Sequence, residues 1–298
     1  DQVDALAAQY PHLPRENFII EPLGRGTASC IGLAALHIRD LDPEAVMAVV
    51  TADHHIEDID GFSDGIAAAK AVAEQGYLVT LGVTPGYPST GYGYIRMGEE
   101  LDVDGDKPTY KVAAFTEKPD RERAQAFLED GSYVWNSGMF IWRADRILEE
   151  ITTWMPDLDA VLQQLEDVVR SPDFKPRLET LWPKLEKETI DYGVMERAEE
   201  VAVIPVEIGW SDIGTWASVM DVYETDAQGN VLQGDVLSLD TASTMVLAQG
   251  QRLVVTIGLE DLVVVDTPDA LLITRRETSQ RVRDVVNHLR AEHRDDLL

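Results

Sequence analysis

The chain is poor in cysteine and in long apolar runs. Cys30 is the single cysteine among 298 residues, so no internal disulfide and no cysteine-rich metal site can form. No apolar run reaches the ~20 residues that a membrane-spanning helix requires. From these absences we expect a soluble, cytoplasmic protein.

Positive charge is also scarce. The chain has 25 Lys and Arg residues against 54 Asp and Glu residues, and its formal net charge is −29. A surface with this balance repels polyanions, so the composition argues against binding to nucleic acid or to an anionic membrane. If the substrates are anions, the site has to supply metal ions or local Arg and Lys side chains.

The hydrophobic pattern predicts an α/β protein. With 45% hydrophobic residues the chain can bury a full core. Apolar runs of strand length alternate with segments of helix length, which favours a doubly wound sheet. We predict strands over 17–21, 45–51, 77–83, 110–115, 138–142 and 201–206, and helices over 27–40, 60–74, 121–128, 144–153, 156–169, 191–198 and from 213 onward. The Gly- and Pro-rich residues between 84 and 110 are predicted to form a long loop.

The pattern changes after residue 228 to short strands separated by turn residues. We predict strands over 231–239, 244–248, 252–257, 262–265 and 270–274, followed by a helix over 278–293. The sequence therefore predicts two domains, residues 1–228 and a small β module with a terminal helix in residues 229–298.

Two carboxylates follow predicted strands. Asp53 lies just beyond the strand over 45–51, and Asp212 lies where a later strand gives way to a helix. Open α/β sheets bind ligands beyond the carboxyl ends of their strands, and two carboxylates from separate loops suit one Mg²⁺ ion. The alternative is that each residue caps the helix that follows it. For Asp53, an Asp-His pair inside a surface turn is a further alternative.

A second group of polar residues offers chemistry for a phosphorylated sugar. Glu117 and Lys118 end a predicted strand, and Asn136 precedes another. A carboxylate and an amide suit sugar hydroxyls, and an ammonium group suits a phosphate. The alternative for Glu117 and Lys118 is a solvated surface ion pair.

Two loops supply further candidates. Gly93 and Tyr94 belong to a Gly-rich stretch, in which glycine permits the close approach of a ligand or of backbone, and an ordinary turn is the alternative. Arg25 precedes the helix over 27–40 and is suited either to a phosphate or to a surface carboxylate.

Five segments occur in one order and together resemble the GDP-mannose pyrophosphorylases, a family of sugar nucleotidyltransferases. The resemblance runs from about residue 14 to about residue 294, and its segments are 21–28 (EPLGRGTA), 52–55 (ADHH), 115–119 (FTEKP), 135–140 (WNSGMF) and 209–214 (GWSDIG). It implies a Rossmann-like nucleotide-diphospho-sugar transferase domain that lacks its first strands, followed by a β-helix-like module used in packing and dimer formation. It further implies nucleotidyl transfer from GTP to mannose 1-phosphate by a homodimer, giving GDP-mannose and pyrophosphate.

The resemblance also implies roles for individual residues. Asp53 and Asp212 match the metal-binding residues, here for Mg²⁺, and Lys118 joins them as a catalytic residue near the sugar phosphate.

The substrate-binding residues implied in the same way come from four segments. Glu117 and Asn136 match residues that bind the sugar. Gly93 and Tyr94 match the loop that lines the sugar and base pocket, and Arg25 lies in a segment beside the nucleotide.

The chain also departs from the family pattern. The Gly-rich loop that wraps the triphosphate is absent and would lie upstream of Asp1, so we expect a fragment of a longer enzyme. A non-catalytic subunit that binds nucleotide sugar, and a pyrophosphorylase for another sugar 1-phosphate, are the alternatives. A dinucleotide-dependent oxidoreductase is weaker, because the Gly-rich stretch 24–29 lacks the third glycine of that motif.

Overall fold

The computed structural model describes residues 2–103 and 106–297. These residues form two compact units, one of the residues up to Ala52 together with Asp58–Ile208, the other of Asp53–Glu57 together with the residues from Gly209 onward. No helix in the two described stretches is long and apolar enough to cross a membrane.

The first unit is built on a six-stranded mixed sheet. Its spatial order is β1-β5-β2-β6-β4-β3, with strands β1 (Val46–Val49), β2 (Leu78–Val83), β3 (Tyr94–Glu100), β4 (Tyr110–Thr116), β5 (Tyr133–Arg143) and β6 (Val201–Val206). Strands β2 and β6 are parallel, whereas β5 runs antiparallel to both β1 and β2. All of β2 is buried, as expected for a strand covered on both faces.

Helices pack on this sheet and form most of the core. They are α1 (Gln2–Gln9), α2 (Thr27–Leu41), α3 (Ile59–Ala73), α4 (Arg121–Asp130), α5 (Ala144–Trp154), α6 (Pro156–Glu166) and α7 (Phe174–Leu181). The largest buried cluster joins α2, α5 and α6 to β5 through Leu33, Ile151, Leu162 and Trp142. Each such side chain stabilises the fold by about 1.5–3 kcal/mol relative to an exposed one.

Helix α2 begins at Thr27, the first residue of the predicted helix, and Thr27 is not its N-cap. Its N-cap is Gly26 at φ 88°, and a Cβ there would lie 2.1 Å from the carbonyl oxygen of Glu188. Only glycine fits so close to that backbone. The Thr27 hydroxyl instead accepts a hydrogen bond from the backbone N–H of Ile190 at 2.9 Å.

Several predicted elements of this unit are wrong. The segment 17–21 is not a strand: a 3₁₀ turn covers Arg15–Asn17, and no strand of the described residues pairs with residues 18–21. Strand β3 lies within the segment that is predicted to be a loop. The sequence does not indicate this strand, because its residues beyond Ile95 are mostly exposed and show no apolar alternation. Helix α7 is not predicted, and the helix predicted over 191–198 is only a π-helical turn, Asp191–Met195.

The second unit contains the β module. Its elements are α8 (Trp216–Asp221), β7 (Val231–Gln233), β8 (Val236–Leu239), β9 (Met245–Ala248), β10 (Val254–Ile257), β11 (Leu262–Asp266), β12 (Leu271–Arg275) and α9 (Val282–Ala291). Strands β7, β9 and β11 are parallel in one sheet, and β8 and β10 are parallel in another. Because consecutive strands alternate between the two sheets, the chain winds as the coil of a β-helix.

The corner between β7 and β8 divides the single strand predicted over 231–239. It is made by Gly234 at φ 91°, where a Cβ would lie 2.0 Å from the carbonyl oxygen of Ala248. The interior of the coil is apolar and comprises Val231, Met245, Leu247, Val263 and Val265, with Met220 of α8.

Candidate functional site

Three predicted site residues meet in the first unit. The backbone N–H of Asn136 donates to the carbonyl of Gly93 at 2.8 Å, which joins strand β5 to the Gly-rich loop. A Cβ on Gly93 would lie 2.6 Å from Oε2 of Glu117 and 3.4 Å from Cβ of Asn136. A carboxylate and an amide from separate strands therefore converge where only glycine leaves room.

Lys118 follows Glu117 at the end of β4 and forms an ion pair with it. Both side chains are exposed to solvent, so this pair contributes little to stability. Lys118 adopts a left-handed backbone conformation, φ 42°, which costs roughly 1–2 kcal/mol for a residue with a side chain. Strain of this kind concentrates at functional sites.

A carboxylate that the sequence analysis does not single out joins the group. Oδ1 of Asp191 accepts a hydrogen bond from Nδ2 of Asn136 at 2.8 Å. Desolvation raises the pKa of the Asp191 carboxyl and the negative charge of Glu117 raises it further, whereas the bond from Asn136 opposes the shift. No local pattern distinguishes Asp191 from an ordinary acidic residue in the first turn of a helix.

The structure places the Tyr94 side chain in the core, where it cannot contact a ligand. The ring is 0% exposed, and its hydroxyl donates to the carbonyl of Ser89 at 3.0 Å. Burial raises the pKa of this phenol. Tyr94 therefore fixes the shape of the loop that carries Gly93, and the rings nearer the surface there are Tyr87 and Tyr92, packed edge-on against Trp135.

Arg25 is linked to the segment that carries Asp191. Its guanidinium group donates to the carbonyl of Pro183, and its own carbonyl accepts from the backbone N–H of Glu188. With the bond between Thr27 and Ile190, these contacts hold the loop before α2 against residues 183–190.

The other two predicted residues, Asp53 and Asp212, lie in the second unit. The backbone groups of His55 and Ser211 exchange two hydrogen bonds, at 2.8 and 3.0 Å, so the two segments pair as an antiparallel bridge. Such a pair has its Cα atoms about 5.5 Å apart. The bridge brings the neighbourhood of Asp53 to that of Asp212.

The charges of Asp53 and Asp212 both affect the pKa of one imidazole, that of His54. Burial lowers the pKa of His54, and the charges of Asp53 and Asp212 partly oppose that shift. Nδ1 of His54 accepts a hydrogen bond from Nε1 of Trp210 at 3.0 Å, so the neutral ring carries its proton on Nε2. The hydrogen bond between His54 and Trp210 thus links the segment that carries Asp53 to the segment that carries Asp212.

Neither carboxylate caps the helix that follows it. The N-cap of α3 is Asp58, whose carboxylate accepts from Gly61, and the N-cap of α8 is Thr215, in a capping box with Ser218. Asp212 instead accepts from the backbone N–H of Gly214 at 2.9 Å. The capping alternative from the sequence is therefore wrong for both residues.

The two carboxylates are a small donor set for a metal. Within the described stretches no three His, Cys, Asp or Glu side chains are grouped as metal ligands. Two carboxylates are enough for Mg²⁺, which retains several water ligands. Ile213, the residue after Asp212, has φ 48°, a conformation rare for a β-branched residue.

Comparison with known proteins identifies the family. The family model described as nucleotidyl transferase matches residues 3–229, and that described as MannoseP isomerase/GMP-like beta-helix domain matches residues 234–289. The chain is 44% identical over 284 residues to a mannose-1-phosphate guanylyltransferase of Escherichia coli K12, covering 94% of this chain and 59% of that protein. It is 40% identical to the xanthan biosynthesis protein XanB of Xanthomonas campestris pv. campestris B100, covering 93% of this chain and 58% of that protein.

A solved structure agrees with these matches. The crystal structure of a mannose-1-phosphate geranyltransferase from Thermus thermophilus superposes with a TM-score of 0.82 at 32% identity, covering 96% of this chain and 81% of that one. The chain spans only 58–59% of the length of the Escherichia coli and Xanthomonas campestris relatives. The predicted nucleotidyltransferase fold with a β-helix module is confirmed, and the chain belongs to the nucleotidyl transferase family, in the branch that includes the mannose-1-phosphate guanylyltransferases.

Proposed function

We propose that the protein transfers a guanylyl group from GTP to mannose 1-phosphate, giving GDP-mannose and pyrophosphate. The observation that carries the proposal is the convergence of Glu117 and Asn136 at Gly93, beside the ammonium group of Lys118. This arrangement offers acceptors and a donor for sugar hydroxyls next to a cation for a phosphate. The names of relatives that are 40–44% identical support the choice of substrates.

The reaction needs no covalent intermediate with the protein. A phosphate oxygen of mannose 1-phosphate forms a new bond to the α-phosphorus of GTP. The bond from that phosphorus to the oxygen bridging to the β-phosphate breaks, and this oxygen leaves with pyrophosphate. The contribution of the protein is to position the reactants and to stabilise charge.

Each residue of the first unit has a task in this scheme. Glu117 and Asn136 bind sugar hydroxyls, and Lys118 binds the sugar phosphate and aligns it for attack. Gly93 leaves room for the sugar beside Glu117 and Asn136, and Tyr94 supports the loop of Gly93 from the core. Arg25 lies beside the nucleotide.

We assign Asp53 and Asp212 to a divalent metal ion, and Mg²⁺ in particular. The fit rests on their chemistry: two carboxylates on paired segments, both close enough to His54 to act on its charge. Hard oxygen ligands of this kind are those that Mg²⁺ prefers. When bound, the ion neutralises phosphate charge, which matters in a chain of net charge −29.

The division of labour along the chain is part of the proposal. Residues 1–228 act as the nucleotidyltransferase domain, and residues 229–298 act as a packing module that supports a homodimer. The proposed setting is the cytoplasm.

Lys118→Met tests the assignment of the sugar phosphate. We expect the KM for mannose 1-phosphate to rise at least about tenfold, since a charged hydrogen bond is lost, while the KM for GTP stays within about twofold. Lys70→Met is the matched control, because Lys70 pairs with Glu74 on the surface of α3 at 3.5 Å. The measurement is pyrophosphate release with each substrate varied in turn, repeated with a panel of nucleotides and sugar phosphates.

Two results would contradict the proposal. Equal losses for both substrates in Lys118→Met would remove Lys118 from the sugar phosphate. Absence of GDP-mannose synthesis in the full-length wild-type protein, or its clear preference for another nucleotide and sugar phosphate, would overturn the reaction itself.

A further inference from the structure

We propose that Asp191 is a positioning residue for the sugar: its carboxylate holds the side-chain amide of Asn136 in the orientation that binds a sugar hydroxyl. This inference rests on the proposed function and adds a residue to its site.

The amide of Asn136 is anchored at both ends. Its Nδ2 donates to Oδ1 of Asp191 at 2.8 Å, and its Oδ1 accepts from the backbone N–H of Gly138 at 3.2 Å. A bond to an ionised acceptor is roughly twice as strong as one between neutral groups. The bond from Gly138 lies at the long end of the usual range, ~2.7–3.2 Å. Asp191 is therefore the stronger of the two anchors.

The anchors also decide which end of the amide faces which partner. If the amide of Asn136 turned over, its oxygen would face the Asp191 carboxylate and its nitrogen would face the N–H of Gly138. Both contacts would then be repulsive, so the orientation is specified rather than averaged.

One hydrogen-bond donor and one acceptor position remain on the amide. An Asn side chain has two N–H donors and two lone pairs on oxygen, and the two anchors use one of each. The remaining pair matches a hydroxyl group, which both donates and accepts. Asp191 thus prepares Asn136 for a hydroxyl without needing to touch the sugar.

The backbone that carries Asp191 is itself fixed. It begins the π-helical turn Asp191–Met195, which is closed by a hydrogen bond from the N–H of Glu196 to the carbonyl of Asp191 at 2.9 Å. Ile190 and Val194 on either side are buried in the main core. Turns of this kind occur frequently at functional sites, and a rigid support keeps a binding group in place.

The ionised carboxylate is held at a cost to the fold. Asp191 faces Glu117 and Lys118, which follow β4, Tyr192 of its own turn and Glu196, the residue after that turn. Partial burial and the nearby negative charge both disfavour the ionised form. Replacing Asp191 by a neutral side chain removes this cost. The replacement should therefore weaken sugar binding without lowering the stability of the fold.

The test compares Asp191→Ala with the conservative Asp191→Asn, which keeps an oxygen acceptor, and with Glu196→Ala as the matched control. Glu196 immediately follows the same turn and carries the same charge, but among the described residues it makes no hydrogen bond with Asn136. We expect Asp191→Ala to raise the KM for mannose 1-phosphate about tenfold and to leave the KM for GTP within about twofold, because one anchor of a sugar-binding amide is lost. Asp191→Asn should recover most of that loss, and the Tm of neither variant should fall.

A double variant tests whether Asp191 acts through Asn136. Adding Asp191→Ala to Asn136→Ala should change the KM for mannose 1-phosphate no further, because the amide to be positioned is already absent. Full additivity of the two losses would overturn the inference. The same conclusion follows if Asp191→Ala matches Glu196→Ala in both KM values.

Failure of the proposed function gives a different result. In that case the wild-type protein neither binds mannose 1-phosphate in calorimetry nor converts it with GTP, and both the function and the role of Asp191 are rejected. An active wild-type protein with an unaltered Asp191→Ala variant rejects only the role of Asp191.

Discussion

Gly93→Ala is the most direct test of the geometry of the sugar site. The backbone of Gly93 is outside the left-handed region, so alanine is allowed there without backbone strain. The added Cβ would nevertheless lie 2.6 Å from Oε2 of Glu117. To restore a normal contact of ~3.5 Å, the carboxylate must move by about 1 Å.

This displacement sets the size of the effect. A misplacement of about 1 Å in a catalytic arrangement can reduce the rate on the order of 100-fold. Because the Glu117 side chain is exposed and can swing away, we expect a loss of roughly 10- to 100-fold in kcat/KM for mannose 1-phosphate, or about 1.4–2.7 kcal/mol. The same mobility keeps the change in the free energy of unfolding within about 0.5 kcal/mol.

The assay is steady-state pyrophosphate release, with thermal unfolding measured on the same preparations. Gly86→Ala is the matched control, since Gly86 lies in the same loop and a Cβ there would meet nothing within 4 Å. If Gly93→Ala stays within twofold of Gly86→Ala in kcat/KM for mannose 1-phosphate, the convergence at Gly93 has no functional meaning and the reasoning is refuted.

Two further predictions concern the metal and the pH dependence of stability. Asp53→Asn and Asp212→Asn should each lower metal-dependent turnover by more than about 100-fold, as expected for direct ligands, and weaken Mg²⁺ binding in calorimetry while the far-UV circular dichroism stays unchanged; near-normal Mg²⁺-dependent activity in both would reject the pair. Burial lowers the pKa of His37, so below its unfolded pKa of ~6.5 the unfolded chain binds more protons and the free energy of unfolding falls as the pH falls. In urea titrations at high and low pH, His37→Phe should reduce this acid-dependent loss, and an identical loss in both proteins would show that His37 does not titrate in this way.

Much of the fold is predictable because apolar runs of strand and helix length act locally. Strand β6 occupies the predicted residues 201–206, and helix α5 starts at the predicted residue 144. The predictions fail where an element depends on a distant partner. Strand β3 is held by pairing with β4 and β5, although its own sequence shows little alternation. The apolar residues Ile19 and Ile20 have strand propensity but no strand to pair with in the described part of the chain.

The candidate site, like the fold, was only partly predictable from the sequence. Residue type and position beside predicted strands made Asp53, Asp212, Glu117 and Asn136 candidates but left helix capping and a surface ion pair as alternatives. The resemblance of their segments to the GDP-mannose pyrophosphorylases favoured the functional roles. Tertiary structure alone decided that neither Asp53 nor Asp212 caps a helix, because the caps belong to Asp58 and Thr215.

Tertiary structure also decided the position of Tyr94 and the role of Asp191. Residue type alone does not separate a buried tyrosine from one that binds a ligand, and here strand β3 turns the ring into the core. Asp191 reaches Asn136 across 55 positions of the chain, through a π-helical turn anchored in the core. Such a contact is set by sheet register and core packing, which no local pattern of residues encodes.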